Sequence, residues 1–311
     1  MSRKRVKEMK KKILFWILGI VGVLVIGAGV YAYNVYSSVS KTLNEVHKPL
    51  QRDKEKGTET TKINQSQPVS ILLLGADERQ DDKGRSDSLM VITLNPKTKS
   101  MKTVSIPRDT YTEIVGKGTK DKINHAYAFG GVDMSVATVE KFLDVPINYY
   151  IEVNMEGFKD IVDAVGGVDV NNDLEFTEGG HHFAKGDIHL NGDEALAFTR
   201  MRKQDPRGDF GRQMRQRQVM QAVIKKGAHV SSLANYGDVL TAIQKNVKTN
   251  LTQDQMFDMQ KNYKDCLQNQ EDIQIPGDGH LQDKIWYYFV SDQDRQNLSN
   301  KLKEHLEIGK K

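Results

Sequence analysis

The sequence predicts an α/β layered domain, with helices packed on a sheet, behind one N-terminal membrane-spanning helix. Three observations carry that prediction. Segments with strand-like alternation and segments with helical spacing follow one another from residue 69 onward, the pattern of an α/β domain. Residues 13–33, "ILFWILGIVGVLVIGAGVYAY", hold no charge, and ~20 apolar residues suffice to cross a bilayer as a helix. Between the two, residues 34–67 are polar and lack apolar periodicity, which reads as an extracellular stalk.

Residues 1–12 carry seven basic side chains against Glu8, which gives this tail +6 and leaves −2 of the overall +4 for the rest of the chain. A basic flank of this kind stays in the cytoplasm. The orientation read is therefore single-pass in the cell membrane, with the N-terminus inside and residues 68–311 outside. A signal peptide cleaved near Val30–Ala32 is the alternative, but the apolar span exceeds the ~7–15 residues of an h-region. A near-neutral exported domain lacks the broad basic footprint of a nucleic-acid binder. The one cysteine, Cys266, excludes an internal disulfide and reads as a small buried hydrophobe.

Within residues 68–311, "VSILLLG" (69–75) is a buried strand, and "LMVITLN" and "MKTVSIP" form a β-hairpin around "PKTKS". "VDMSVATVEKFLDV" has helical spacing, "NYYIEVN" is a strand, and "MEGFKDIVDAV" is a helix stopped by Gly166 and Gly167. Three helices (209–226, 232–247, 252–265), a strand-like "DIQIPG", an aromatic "IWYYFV" and an amphipathic helix complete the chain. "HH" at 181–182 lacks a third ligand at usable spacing and reads as loop.

The densest chemical signal is "RMRKQDPRGDFGRQMRQRQV" (200–219). It holds Arg200, Arg202, Arg207, Arg212, Arg215 and Arg217 in a chain of 13 Arg and 32 Lys. The planar fork of arginine matches phosphate and carboxylate oxygens bidentately, so such a bias points to oxyanion recognition; a solvated charged helix face is the competing reading. With Asp209 as N-cap, positions 212, 216, 219, 220 and 223 share one face, so Arg212 and Gln216 continue an apolar stripe toward a pocket. Arg215 reads as ordinary surface. Arg200 and Arg202 point the same way if "FTRMR" is extended.

Asp77 and Asp87, at the edges of two successive strands, are hard oxygen ligands of the kind that hold Mg²⁺ together with water and substrate phosphate, although acidic loop residues also simply make turns. Arg108 in "SIPRDT" stands at a strand end, where open α/β sheets bind ligands.

Taken in order, "LLLGAD", "GRSDS", "NPKTKSMKTVSIPRDTY", "KINHAYAFGG", "GGVDV", "LNGDEALAFTRMR" and "DFGRQMRQRQV" closely resemble the LytR-CpsA-Psr family of Gram-positive cell envelopes. The resemblance is dense over 68–226 and strongest toward members that attach wall teichoic acid to peptidoglycan. It implies an α/β/α layered domain with a central mixed sheet, which binds a polyprenyl pyrophosphate with its tail in a hydrophobic tunnel. The implied activity transfers a phosphate-linked glycopolymer from that carrier to the muramic acid C6 hydroxyl of peptidoglycan and releases polyprenyl phosphate. By the same resemblance Asp77 and Asp87 match ligands of Mg²⁺, with Mn²⁺ as its substitute. Arg108, Arg200, Arg202, Arg212 and Gln216 match pyrophosphate contacts, Arg85 fits the phosphate site, and Arg108, Arg202 and Asp87 carry the catalytic role. The general base stays unassigned. A non-catalytic sensor or carrier of polyprenyl phosphates, a transcription attenuator, and a pyrophosphate hydrolase are the alternatives.

Overall fold

The computed structural model describes residues 36–55, 67–76, 84–155, 157–228 and 236–309. The membrane span read at 13–33 lies outside them, as does Asp77; among the described residues no helix is long and apolar enough to cross a membrane. In chain order the elements are a helix over 36–46 (α1), α2 (Gln51–Glu55), β1 (Val69–Ala76), β2 (Ser86–Asn95), β3 (Ser100–Ile106), β4 (Tyr111–Ile114), β5 (Thr119–Lys122), α3 (His125–Leu143), β6 (Tyr149–Asn154) and α4 (Gly157–Ala164). Then come β7 (Val168–Asn172), β8 (Phe176–Glu178), β9 (His181–Phe183), β10 (Gly186–Leu190), α5 (Gly192–Arg200), α6 (Asp209–Ala228) and α7 (Tyr236–Asn246). The chain closes with β11 (Val247–Thr249), α8 (Gln253–Tyr263), β12 (Asn269–Gln274), β13 (Asp278–Gln282), β14 (Ile285–Phe289) and α9 (Asp292–His305).

Six strands form the central sheet in the order β11-β6-β1-β2-β3-β12. It is mixed: β1 runs parallel to β6 and β3 to β12, while the β1–β2, β2–β3 and β6–β11 pairs are antiparallel. Alternation along the strands sends side chains to two faces. One face carries Leu72, Leu74, Val91 and Val104 against Val136, Val139 and Phe142 of α3 and Leu298 and Leu302 of α9. The other carries Ile71, Ile92 and Met101 against Met220 and Ile224 of α6 and Met256 and Met259 of α8. Helices therefore cover both faces. The carboxy-terminal helix is pinned at its end by His305, whose Nδ1 and Nε2 lie 2.7 Å and 2.8 Å from the hydroxyls of Thr93 and Ser100. Burial pushes this imidazole down to about 4.

Three expectations are corrected. The segment read as a stalk enters the fold: Thr42, Val46 and Leu50, each four residues apart, are buried, and His47 bridges to Thr249 on edge strand β11. His181 and His182 lie in β9, not in a loop, because the β8–β9 hairpin stacks Phe176 on Phe183 at 4.8 Å. "FTRMR" is not extended: Arg200 is the last residue of α5, a helix opened by a reciprocal capping box between Asn191 and Glu194, and only the turn at Met201 (ψ 133°) leaves helical geometry.

Candidate active site

Strand register builds the site. Leu89 pairs with Ile106, so continuing the antiparallel ladder by two residues sets Asp87 opposite Arg108, and Arg108 Nη1 donates to Asp87 Oδ1 at 2.9 Å. β1 ends beside them, with Ala76 paired to Ser86 through a bulge. The Asp87 carboxylate is half-exposed and meets Arg108 through Oδ1. Arg85, immediately before β2, is exposed.

The first turn of α6 supplies the facing wall. Arg212 is 8 % exposed and ion-paired to Asp209 at 2.7 Å. Asp209 is the first residue of the helix, and its carboxylate is taken up by Arg212 and Gln213 instead of capping. Burial pushes the Arg212 guanidinium below its ordinary range; Asp209 opposes that, while the positive charges of Arg108 and Arg202 add to it. Burial would also lower Arg108, but the carboxylates of Asp87, Asp109 and Asp209 overcome it and raise the group. Arg108, Arg202, Arg212, Asp87 and Asp209 thus share one electrostatic neighbourhood. Arg200 ends α5 and Arg202 follows its cap, both exposed.

This cluster leaves buried polar atoms unsatisfied among the described residues, the acceptor Asp209 Oδ1 included. The Nε–H groups of Arg108 and Arg212 are buried and find no acceptor among the described residues. Buried donors without partners cost about 1–3 kcal/mol each, a cost that an incoming oxyanion relieves.

Beneath the guanidiniums lies an apolar cavity of about 300 Å³ between the sheet and α6. Three of its lining residues adjoin charged ones: Ser88 follows Asp87, Thr199 precedes Arg200, and Gln216 lies one turn beyond Arg212. Along α6, Arg212, Gln216, Met220 and Ile224 recur every four residues, about 6 Å apart. The same rail therefore passes from guanidinium to amide to hydrocarbon. Leu73, Ile151 and Ile224 also line a second cavity of about 550 Å³ that extends toward Met259 and Leu267, so the two adjoin across these side chains.

The other arginines of the cluster hold the frame. Arg215, expected at the surface, is fully buried: it donates to Phe198 O (3.1 Å), Met201 O (2.6 Å) and Asp205 Oδ2 (2.6 Å), with its guanidinium 5.3 Å from the Phe176 ring. Arg207 clamps Asp205 and Asp173. Arg217 ties α6 to the sheet through Ser105 (2.9 Å) and Asp272 (3.0 Å). Among the described residues no group of three or more His, Cys, Asp or Glu is placed to hold a metal ion. Cys266 is buried and free, and burial pushes its thiol up to about 11.

Comparison with known proteins gives a consistent set of likenesses. A model described as the LytR_cpsA_psr family matches residues 33–304. The chain is 83 % identical over 304 residues, 97 % of its own length and 100 % of the relative's, to polyisoprenyl-teichoic acid–peptidoglycan teichoic acid transferase TagU of Bacillus mycoides (strain KBAB4). It is similar to the crystal structure of TagU of B. subtilis (TM-score 0.64, 50 % identity, 77 % of this chain and 97 % of that one). It is also similar to a structure of TagT bound to LIIa-WTA (TM-score 0.69, 32 % identity, 84 % and 100 %).

Proposed function

The chain belongs to the LytR_cpsA_psr family, and from that premise we propose that it is a polyisoprenyl-teichoic acid–peptidoglycan teichoic acid transferase acting in cell wall biogenesis. The observation that carries this reading is the junction of two chemistries: guanidiniums with unsatisfied buried donors at the head of an apolar cleft. A polyprenyl pyrophosphate has the same two halves. Its diphosphate suits Arg108, Arg202 and Arg212, with Arg85 and Arg200 at the rim and Gln216 at the boundary; its isoprenoid tail suits the cleft along Met220 and Ile224.

In this reading the muramic acid C6 hydroxyl oxygen attacks the phosphorus that bears the glycopolymer. A new O–P bond forms, the bridging P–O bond breaks, polyprenyl phosphate departs with that bond's electron pair, and the hydroxyl proton is released. Such a transfer asks the protein to position reactants and to neutralise charge spreading over phosphoryl oxygens, which arginine forks do without a covalent nucleophile. Arg108 is oriented for this by Asp87, and Arg212 by Asp209.

Mg²⁺, with Mn²⁺ as substitute, belongs to the same proposal. The half-exposed carboxylate of Asp87 and the carboxylate of Asp77 are hard donors, few in number, of the kind that hold Mg²⁺ with water and phosphate oxygens completing its shell. When bound, the ion would supply further positive charge to the diphosphate. The basic tail and the apolar span of residues 13–33 support a protein anchored in the cytoplasmic membrane, with the transferase domain on the outer side where lipid carrier and wall meet.

The test incubates the full-length chain with a lipid-pyrophosphate-linked disaccharide and peptidoglycan oligomers, with and without chelator. Coupling of the disaccharide to peptidoglycan with release of polyprenyl phosphate, abolished by chelator and restored by Mg²⁺, is the expected result. Release without coupling would assign hydrolysis instead, and binding without release would assign a carrier or sensor.

A further inference from the structure

The carboxy-terminal hairpin β13–β14 carries the largest exposed apolar side chains near the site, and its register sorts them. Leu281 pairs with Trp286 and Gly279 with Tyr288, which puts these four on one face; His280, Tyr287 and Phe289 take the other, where Tyr111 of β4 packs at 4.8 Å from the Tyr287 ring. On the first face Leu281 is 66 % and Trp286 49 % exposed. The indole lies over the backbone at Gly279, where any Cβ would strike its six-membered ring. Trp286 is therefore backed on one side by the bare backbone at Gly279, which lets the ring lie close, and offers its other side to solvent.

That face leads into the arginine site. Tyr288, two residues and about 7 Å along the strand from Trp286, has its ring 5.6 Å from that of Phe210, the neighbour of Asp209 at the start of α6. The Tyr288 N–H donates to Asp109 O at 2.9 Å, on the turn that carries Arg108. The hairpin is thus bonded to both walls of the site. It follows edge strand β12, whereas α1, the described segment nearest the proposed anchor, adjoins the opposite edge strand β11. β11 and β3 are four strand spacings apart, about 19 Å. The platform is thus fixed to the elements that carry Arg108 and Arg212, beside the path of an acceptor that must reach the diphosphate, which favours a wall polymer over a bilayer as its occupant.

We infer that Trp286, with Leu281 beside it, forms an acceptor subsite that stacks on a sugar ring of the peptidoglycan glycan strand a few residues from the hydroxyl to be phosphorylated. Sugar rings present flat C–H faces and polar edges, and a rigid indole with one free face and water at its rim matches both. This inference rests on the proposed transferase reading and names where its acceptor binds.

The test uses fluorescence and kinetics together. Trp16 and Trp286 are the two tryptophans of the chain, so a full-length Trp16→Phe background leaves Trp286 as sole indole. Soluble alternating N-acetylglucosamine–N-acetylmuramic acid oligosaccharides are the probe, with phosphatidylglycerol vesicles as the second arm. The expected result is a saturable change in Trp286 emission with oligosaccharide. Trp286→Ala should raise the acceptor KM about tenfold, equivalent to about 1.4 kcal/mol, with kcat and donor affinity unchanged and partial recovery in Trp286→Tyr. Unchanged emission and KM in a chain that still transfers would overturn the subsite and leave the transferase reading intact. A response to vesicles and not to oligosaccharide would overturn it in favour of bilayer contact. Loss of donor binding and transfer by the unmodified chain would instead fail the proposed function.

Discussion

Arg212 and Arg215 lie one turn apart on α6, yet the structure gives them opposite duties, and replacing each by Met separates them. Arg215→Met removes three hydrogen bonds to oxygen from a side chain with no solvent exposure. The carbonyls of Phe198 and Met201 lose a donor, and the buried carboxylate of Asp205 keeps only Arg207. Buried acceptors that lose their donor cost about 1–3 kcal/mol each, so the three together come to about 3–5 kcal/mol. At roughly 2–4 °C per kcal/mol for a domain of this size, the melting temperature should fall by about 10 °C. Arg212→Met removes an ion pair to Asp209 but also a buried guanidinium whose Nε–H has no acceptor, so stability should stay within about 1 kcal/mol. Its loss should appear in transfer, by about 10²-fold or more. Calorimetry and the transfer assay on the same preparations read both. If Arg215→Met melts with the unmodified chain, or Arg212→Met melts far below it, the division of the helix into frame and site is mistaken.

Three further outcomes follow from particular contacts. His305 has a folded pKa of about 4, below the unfolded value near 6.5, so its contribution is whole above pH 6.5 and is lost as pH falls toward 4; urea unfolding across that range should show the loss, and His305→Gln should flatten it. Val223→Trp, on the cavity wall, should weaken binding of a long polyprenyl pyrophosphate by at least tenfold while leaving inorganic pyrophosphate binding unchanged, as calorimetric titration can read. Cys266, buried with its thiol pushed up to about 11, should resist alkylation at neutral pH until the chain unfolds, as mass spectrometry of labelled protein would record.

Much of this organisation is legible in the residues. Alternation about "PKTKS" gives the β2–β3 hairpin, and the spacing of Arg212, Gln216, Met220 and Val223 gives the rail that leads into the cavity. What escaped reading did so for physical reasons. α6 looks like a solvated helix because its arginines are dense, but Arg215 is four residues before buried Val219 and Arg217 reaches the sheet, so the helix is enclosed on several sides and each guanidinium finds its own oxygens. α5 was hidden by the alternation in "FTRMR", while Asn191 and Glu194, three apart, were the capping signal that marks it. The β8–β9 hairpin has strands of three residues, too short for alternation to register. Thr42, Val46 and Leu50 repeat at four in a segment otherwise polar enough to read as linker.

The central claim is that Arg108 and Arg212 grip one diphosphate. A double-mutant cycle on binding of farnesyl pyrophosphate, by calorimetry with Arg108→Ala, Arg212→Ala and the double variant of the full-length chain, tests it directly. Side chains that share a ligand should be non-additive, with a coupling energy above about 0.5 kcal/mol. Additive losses, or single variants that bind as tightly as the unmodified chain, would contradict it.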